Sequence, residues 1–296
     1  MNGDQSADRP ATGALAGIRG LLLDMDGVLV LRGRPIDGAQ EALTELHRRG
    51  LPYRVVTNTS VLSRESLSAW GASVGLAVPP DRIISALSAS AAYTAHAFAG
   101  RPLYVLASPD ARREFIGQRL LTNHDADAPG ADAAAVVIGD SPEEATFENL
   151  NRAFRLIRGG ARLIGMHKNR WWLTPDGPTL DSGAFVAGLE FASGVRALVM
   201  GKPSPAFFRE AARELVEAIS VAAGSAPYPR RADLAMVGDD LWSDVLAAQR
   251  LGMRGVFVLS GKHGRAELMQ AASQKRGGGR PSLVAHSLAR VIDALD

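Results

Sequence analysis

The sequence predicts an α/β protein built on a mainly parallel sheet with helices on both faces. Three observations lead to this prediction. Short apolar runs alternate with amphipathic segments along the 296 residues, polar residues directly follow several of these runs, and the alternation restarts in mid-chain. Alternating strands and helices are typical of parallel sheets, whose strands are covered on both faces. The restart predicts a second α/β set inserted into the first.

The first α/β set begins with a strand at 18–23 and a helix at 37–49, whose apolar residues share one face. A buried strand at 53–56 and a helix at 63–70 follow. The pattern resumes after the insertion with the following elements. Helices are expected at 184–191, 204–218, 241–250 and 287–295, strands at 197–200, 234–237 and 255–259, and a loop at 274–281.

The inserted set spans about 87–180, which is long enough for a small core of its own. Its expected elements follow an Ala-rich entry helix at 88–98. They are strands at 103–106, 134–138 and 162–166, helices at 110–121 and 143–157, and a connection at 122–132. The expected domains are therefore a flexible tail at 1–17, a core at 18–86 and 181–296, and an inserted domain at 87–180.

Composition excludes several classes of function. The 33 Lys and Arg residues nearly balance 31 Asp and Glu residues, which gives no reason to expect a nucleic-acid partner. The chain has no Cys, so disulfides, thiolate metal sites and cysteine nucleophiles are excluded. No apolar run approaches the roughly 18 residues that span a bilayer, and the N-terminus lacks the pattern of a secretion signal. We expect a soluble, cytoplasmic protein without membrane contact.

Polar side chains follow four predicted strands. They are Asp24 and Asp26, Thr57 and Asn58, Lys202, and Asp239 and Asp240 with Asp244. The carboxyl ends of neighbouring parallel strands lie along one edge, so these groups would converge if the strands are neighbours. Each also has a structural alternative, since Thr57-Asn58 and Asp239-Asp240 could cap helices and Lys202 could be a solvated surface residue.

The set suits phosphoryl transfer. Asp24, Asp239 and a backbone carbonyl near Asp26 supply the hard oxygen ligands that Mg²⁺ prefers. Asp24 could then attack phosphorus, and Asp26 could protonate the leaving oxygen and later activate water. Thr57 and Asn58 would bind phosphate oxygens, and Lys202 would balance negative charge. Hydrolytic dehalogenation would leave Asp26 and Asp239 without a task, whereas a phosphomutase would retain the same core.

The motifs DMDGV at 24–28, TNT at 57–59, GKP at 201–203 and GDDLWSD at 238–244 resemble those of haloacid dehalogenase superfamily phosphatases. The position of the insertion, between the second and third motifs, resembles that in subfamily IIA. Members of this subfamily carry a C2-type cap domain and a Rossmann-like core. Further segments, GLLLDMDGVLV, VTNTS, LNRAFRLI, MHKNRWW and VGKPSPAFF, are similar to the phospholysine phosphohistidine inorganic pyrophosphate phosphatase group and its bacterial relatives.

The resemblance implies Asp24 as the nucleophile, Asp26 as acid and base, and Mg²⁺ held by Asp24, the Asp26 carbonyl and Asp239. It also implies phosphate binding by Thr57, Asn58 and Lys202, with Asp240 and Asp244 behind the metal ligands. Homodimers formed through the cap are common among similar proteins. Trp242 departs from the smaller residue of many relatives, and we expect it to pack under the helix rather than face the crevice.

Substrate selection would fall to the inserted domain. His167, Lys168, Asn169 and Arg170 combine cations with neighbouring Trp171 and Trp172, which could grip an anionic or flat substrate. Alternatively, the tryptophans anchor a hairpin and the cations face water. Gly183 could be a hinge between the domains, or Asp181-Ser182-Gly183 could simply start a capped helix.

The sequence thus predicts a magnesium-dependent phosphatase acting on a small phosphorylated metabolite, pyrophosphate or a nitrogen-linked phosphate. Phosphoglycolate, nucleotide and pyridoxal phosphate remain alternative substrates. A regulatory or binding protein that retains this fold without turnover is the alternative of another class.

Overall fold

The computed structural model describes residues 15–174, 177–223, 228–274 and 279–295. Contacts divide the chain into two compact units. The first comprises 1–57, 68–84 and 208–296, and the second comprises 58–67 and 85–207. Residues 1–14 of the expected tail and 275–278 of the expected loop lie outside the described residues, as does the side chain of Trp172.

The elements alternate between strands and helices, as the sequence predicts. The strands are β1 Gly20–Asp24, β2 Val30–Leu31, β3 Arg34–Pro35, β4 Tyr53–Thr57, β5 Ile83–Ser85, β6 Leu103–Leu106, β7 Ala135–Ile138, β8 Arg162–Gly165, β9 Trp171–Thr174, β10 Gly177–Leu180, β11 Leu198–Val199, β12 Leu234–Gly238, β13 Arg254–Val258 and β14 Leu283–Ala285. The α-helices are α1 Ala39–Arg48, α2 Arg64–Ser73, α3 Ala86–Ala97, α4 Asn123–Asp127, α5 Phe147–Arg158, α6 Ser182–Ser193, α7 Pro205–Ala223, α8 Leu246–Gln249, α9 Arg265–Ser273 and α10 Leu288–Asp293.

The first unit contains a six-stranded sheet in the order β14-β13-β12-β1-β4-β5. β1 lies inside this sheet and pairs in parallel with β12 on one side and β4 on the other. All five of its residues are buried, which explains a continuous apolar run without alternation. A Cβ at Gly20 would lie 2.8 Å from Cδ1 of Ile219, so glycine permits close packing of α7 against β1.

The second unit contains a four-stranded parallel sheet in the order β11-β8-β7-β6. Helices α5 and α6 contribute buried residues to its core, including Leu156, Val186 and Leu189. β9 and β10 form a separate antiparallel hairpin in which Trp171 stands opposite Leu180. This unit therefore has its own hydrophobic core, as its length predicts.

The strand predicted at 197–200 belongs to a different sheet from the one expected. It forms β11, in which Leu198 pairs with Ile164 of β8 in the second unit. Helix α6, expected in the core domain, also packs in the second unit through Val186. The contacts consequently place 181–207 with the second unit, whereas the expected boundary lies at 180. A buried parallel strand has the same apolar pattern in either sheet, so its partner is not visible in the sequence.

The helix predicted at 110–121 is wrong beyond its first turn. Only a short 3₁₀ turn forms at Ala111–Phe115, and Gly117 then adopts a φ of +78°. The following chain is extended, and Leu120 bridges to Leu103 at the start of β6. A further departure occurs in the helix predicted at 241–250, which opens with a π-helical turn at Leu241–Val245 before α8.

Candidate active site

Three carboxylates gather where β1 and β12 end. Asp24 is the last residue of β1, Asp239 follows β12, and Asp244 lies in the π-helical turn. Each offers an oxygen atom within 4.8 Å of the others, and all three residues are buried. Buried like charges at this spacing oppose one another, so a divalent cation would offset a large electrostatic cost. The adjacency of β1 and β12 creates this cluster.

Two other predicted residues border Asp24 in the first unit. Thr57 ends β4, the strand on the other side of β1, and is 1% exposed. The Asp24 carboxylate accepts a 2.7 Å hydrogen bond at Oδ1 from the Met25 N–H, which fixes its orientation. Asp26 is exposed, and its backbone bridges to Val30 in the turn after β1. One aspartate is therefore enclosed and the other accessible, which suits different chemical tasks.

Asp239 is enclosed by backbone atoms. Its Oδ2 accepts a 2.6 Å hydrogen bond from the Lys262 N–H. A Cβ at either Gly27 or Gly261 would lie 2.0 Å from the same oxygen, so only glycine fits at both positions. Gly27 also has a φ of +78°, in the left-handed region that favours glycine. Gly27 belongs to the DMDGV motif, whereas Gly261 is a site residue that none of the sequence motifs includes.

We expect Gly261→Ala to weaken divalent-cation binding at least tenfold, because the added methyl group must displace the Asp239 carboxylate. Titration with Mn²⁺, followed by isothermal calorimetry, would measure this effect without requiring turnover. Gly264→Ala is the matched control in the same loop, since its Cβ would have an ordinary 3.8 Å contact with Glu267 Oε2. Equal affinities for both variants would contradict the proposed enclosure of Asp239.

Asp240 caps the π-helical turn and pairs with Lys262, while its expected place behind the metal ligands stays a prediction. Its Oδ1 accepts 3.0 Å hydrogen bonds from the N–H groups of Trp242 and Ser243, and its Oδ2 pairs with Lys262 Nζ at 2.8 Å. Burial raises the pKa of Asp240, but the Lys262 and Ser243 hydrogen bonds outweigh it and lower the pKa to about 2. Asp244, which the resemblance also places behind the metal ligands, lies in the three-carboxylate cluster with Asp24 and Asp239.

Trp242 packs within the first unit, in agreement with the favoured interpretation. Its ring meets the His263 imidazole edge to face, with centroids 4.9 Å apart. It also packs against the buried cluster that includes Leu241 and Phe257. His263 Nδ1 accepts a 3.1 Å hydrogen bond from the Leu241 N–H, which further fixes the start of this turn.

Lys202 and Asn58 lie together in the second unit. Lys202 is 6% exposed. The Asn58 side chain accepts a 2.7 Å hydrogen bond from the Lys202 N–H and donates one of 3.1 Å to the Lys202 carbonyl. A Cβ at Gly201 would lie 2.6 Å from Asn58 Oδ1, which accounts for that glycine. The Asn58 amide, expected on phosphate oxygens, thus holds the backbone of the predicted catalytic lysine.

His167 is buried in the second unit. Because it is buried, it is not placed to contact a substrate at the surface, as the sequence had suggested. It is 3% exposed, and its Nε2 lies 3.1 Å from Ser60 Oγ and 3.3 Å from Ser182 Oγ. Asp181 caps α6 by accepting a 2.7 Å hydrogen bond from the Ser182 N–H. A Cβ at Gly183 would lie 2.0 Å from the Asn169 carbonyl oxygen, so this glycine permits close packing.

The other residues of that cluster remain accessible. Lys168, Asn169 and Arg170 are exposed, and Lys168 Nζ pairs with Glu190 at 2.5 Å. The Asn169 N–H donates to His167 Nδ1 at 3.4 Å. Because a backbone N–H can only donate, this contact favours neutral His167 with its proton on Nε2.

We expect protein stability to fall below pH 6.5 partly because of His167. Burial lowers the pKa of His167, although the Asp181 carboxylate opposes this shift. The unfolded chain therefore binds a proton that the folded chain excludes. The contribution of neutral His167 to the free energy of unfolding is complete above pH 6.5. It is lost as the pH falls below that value, by up to about 1.4 kcal/mol per pH unit. Urea unfolding at several pH values would give the slope, which His167→Gln should reduce.

Exposed His124 provides the control, since His124→Gln should retain the wild-type dependence of stability on pH.

Asp140 changes the pH dependence of stability in the opposite direction to His167. Burial raises the pKa of Asp140 to about 6, and repulsion from Asp181 and Glu143 adds to this shift. The comparison of His167→Gln with wild type cancels that contribution. An unchanged slope in His167→Gln would show that His167 titrates normally in the folded protein.

The donor set of the first-unit cluster fits a divalent cation. Asp24, Asp239 and Asp244 offer only carboxylate oxygens, which are the ligands of hard cations. Within 15–174, 177–223, 228–274 and 279–295, no second group of three such side chains forms. None of the helices described there has the length and apolar character to cross a membrane.

Fold and site together define a Rossmann-like α/β protein with a buried acidic cluster at the carboxyl edge of its parallel sheet. Family models for haloacid dehalogenase-like hydrolases match residues 21–119 and 199–291. The mouse haloacid dehalogenase-like hydrolase domain-containing protein 2 is 33% identical over 276 residues, covering 93% of this chain and 95% of that protein. The chain belongs to the haloacid dehalogenase-like hydrolase family and is an enzyme of that class.

Two further proteins that resemble this chain are phosphatases. The human phospholysine phosphohistidine inorganic pyrophosphate phosphatase is 35% identical over 254 residues, which cover 84% of this chain and 85% of that protein. The solved structure of p-nitrophenyl phosphatase from Archaeoglobus fulgidus superimposes with a TM-score of 0.79 at 28% identity, covering 94% and 99% of the two chains. The family resemblance and the α/β fold expected from the sequence are confirmed.

Proposed function

We propose that this chain is a magnesium-dependent phosphatase that works through an aspartyl-phosphate intermediate. The observation that carries the proposal is the buried cluster of Asp24, Asp239 and Asp244 at the ends of adjacent strands. When bound by Asp24, Asp239 and the Asp26 carbonyl, Mg²⁺ would offset the repulsion among the carboxylates and withdraw charge from the phosphoryl group. Asp244 would support this site from within the cluster.

The proposed reaction uses the two aspartates after β1 differently. The Asp24 carboxylate attacks phosphorus with the oxygen that does not accept the Met25 N–H, forming a P–O bond as the bond to the leaving oxygen breaks. Accessible Asp26 gives its proton to that oxygen. In the second step Asp26 removes a proton from water, which attacks the phosphoryl group and releases phosphate and free Asp24.

Other residues would hold the transferred group. The Thr57 hydroxyl and the backbone N–H of Asn58 are proposed to donate to phosphate oxygens, while the Lys202 ammonium group balances their charge. The Asn58 side chain contributes by holding the Lys202 backbone through its two hydrogen bonds. This assignment modifies the sequence expectation, in which the amide itself contacts phosphate.

For the substrate, we propose a small phosphorylated metabolite, pyrophosphate or a nitrogen-linked phosphate. This proposal is supported by the human relative and the archaeal protein described above, both of which are phosphatases. The second unit would act as the cap, and its exposed Lys168, Asn169 and Arg170 would contact the leaving group. A homodimer formed through this unit also remains part of the proposal.

Hydrolysis of p-nitrophenyl phosphate with and without Mg²⁺ tests the reaction class. We expect turnover that disappears with chelator and returns with added Mg²⁺. A panel of pyrophosphate, phospholysine, phosphohistidine, phosphoglycolate, nucleotides and pyridoxal phosphate would then rank substrates by kcat/KM. Absence of metal-dependent turnover on every compound would reject the phosphatase and favour a binding protein on the same fold.

A further inference from the structure

A cavity of about 250 Å³ lies in the first unit at the beginning of β4. Thr57 ends the same strand, so the cavity and the proposed phosphate-binding residue belong to opposite edges of the sheet. Leu46, Leu51 and Ala218 contribute apolar surface to the cavity wall. Its volume is near the lower limit of ligand pockets, which are commonly about 300–1,000 Å³. The proposed phosphatase reaction assigns no task to this cavity.

The cavity wall carries three basic side chains, those of His47, Arg54 and Arg82. None of the described residues that line it is Asp or Glu. The Arg82 guanidinium lies over the Tyr53 ring, 4.8 Å from its centroid. Tyr53 is 4% exposed, so a fixed aromatic surface supports the cation. A guanidinium held over an aromatic ring by its charge still has N–H donors available for hydrogen bonding.

Arg82 differs from Arg54 in its polar contacts. Arg54 donates to the Tyr53 carbonyl at 3.0 Å, and its Nε lies 3.9 Å from Glu214 Oε2. The charge of Arg54 is therefore partly balanced by the protein. Within the described part of the chain, the Arg82 side chain has the Tyr53 stack but no hydrogen bond or ion pair. Arg82 is thus the cation best placed to receive an external anion.

We propose that this cavity binds a compact organic anion, with a carboxylate or phosphate group on Arg82 and an apolar body against Leu46 and Leu51. A guanidinium can donate two parallel hydrogen bonds to either anionic group. His47, at the rim, would add a donor from the end of α1. The site is independent of the proposed catalytic residues, so its ligand need not be a substrate or a product.

The test uses the full-length ¹⁵N-labelled protein, titrated with benzoate at constant ionic strength and followed by NMR. We expect saturable shifts of the Gly50, Tyr53 and Arg82 amides, and none with benzamide, the neutral isostere. Phenylphosphonate in a second arm identifies the preferred anionic group. Binding of either anion at these amides supports the site. Shifts confined to the surroundings of Asp24, or equal shifts with benzamide, would overturn it.

Variants tie the shifts to Arg82. Arg82→Met should weaken binding at least tenfold, whereas Arg209→Met, a substitution of an exposed arginine on α7, should leave it unchanged. If Arg82→Met does not fold, His47→Gln provides the decision, because its exposed side chain should tolerate replacement. We expect a two- to fivefold loss from His47→Gln. Undiminished affinity in the folded Arg82 variant, or in His47→Gln where that variant decides, would reject the proposal.

Discussion

Asp24→Asn is expected to abolish phosphatase turnover and to leave the first unit folded. The amide cannot attack phosphorus as a carboxylate does, and loss of a nucleophile that acts with other groups commonly costs several orders of magnitude in kcat. We therefore expect a loss of about 10⁴-fold or more. The measurement is steady-state hydrolysis of p-nitrophenyl phosphate under saturating Mg²⁺, together with mass spectrometry of acid-quenched enzyme for a phosphorylated Asp24.

Although Asp24→Asn should remove activity, we expect it to preserve or raise the thermal stability of the protein. Asp24 lies among buried carboxylates, so its neutral replacement removes repulsion from Asp239 and Asp244. In the absence of divalent cations, Asp24→Asn should unfold at the same temperature as wild type or higher. Asp37→Asn, on an exposed residue of the same unit, is the control for both measurements. Retained turnover in Asp24→Asn would remove Asp24 from its proposed role.

The acidic site could be predicted because its components follow recognisable strands. An uninterrupted apolar run before Asp24 indicates a strand covered on both faces, and a similar run precedes Asp239. Once such strands are neighbours and parallel, their carboxylates must share an edge, as the pairing of Gly20 with Leu234 establishes. Local sequence therefore specifies both the element and the position of its polar end.

Long-range partners could not be predicted in the same way. The apolar pattern of Leu198–Val199 does not specify β8 as the neighbouring strand. Similarly, nothing in the sequence around Asn58 indicates its contact with Lys202, 144 positions away. His167 illustrates a related difficulty. Its neighbours Lys168 and Arg170 are cationic and exposed, yet the end of β8 carries His167 into the interior. Burial at such a boundary depends on packing between distant segments, which one sequence does not display.

The glycines around Asp239 show an intermediate case. Gly27 directly follows the aspartate pair, which marks it as part of a special turn. Gly261 stands in a loop with several turn-forming residues and carries no such mark. Its importance follows only from the 2.0 Å separation between its hypothetical Cβ and Asp239 Oδ2. Close approach of backbone to a functional side chain is a three-dimensional property that glycine permits but does not indicate.

Lys202→Met is expected to reduce kcat by about 10²–10³-fold, the usual scale for loss of one preorganised electrostatic group. Methionine retains much of the length of the lysine side chain but has no charge to balance the transferred phosphoryl group. The Asn58 side chain hydrogen-bonds only to the backbone of residue 202, so both hydrogen bonds can persist in the variant. We therefore expect the rate to fall far more than the thermal stability, with both measured on the same preparation.

Asn58→Ala separates the charge of Lys202 from its placement. This substitution removes both hydrogen bonds to the Lys202 backbone while leaving the ammonium group, at a cost of about 1–3 kcal/mol in stability for the polar groups left unsatisfied. We expect a smaller loss of kcat, about tenfold, and a clearer fall in unfolding temperature than in Lys202→Met. Arg158→Met, which removes an exposed cation of the same unit on α5, should retain wild-type kcat. Equal kcat values for Lys202→Met and Arg158→Met would show that the buried ammonium group takes no part in phosphoryl transfer.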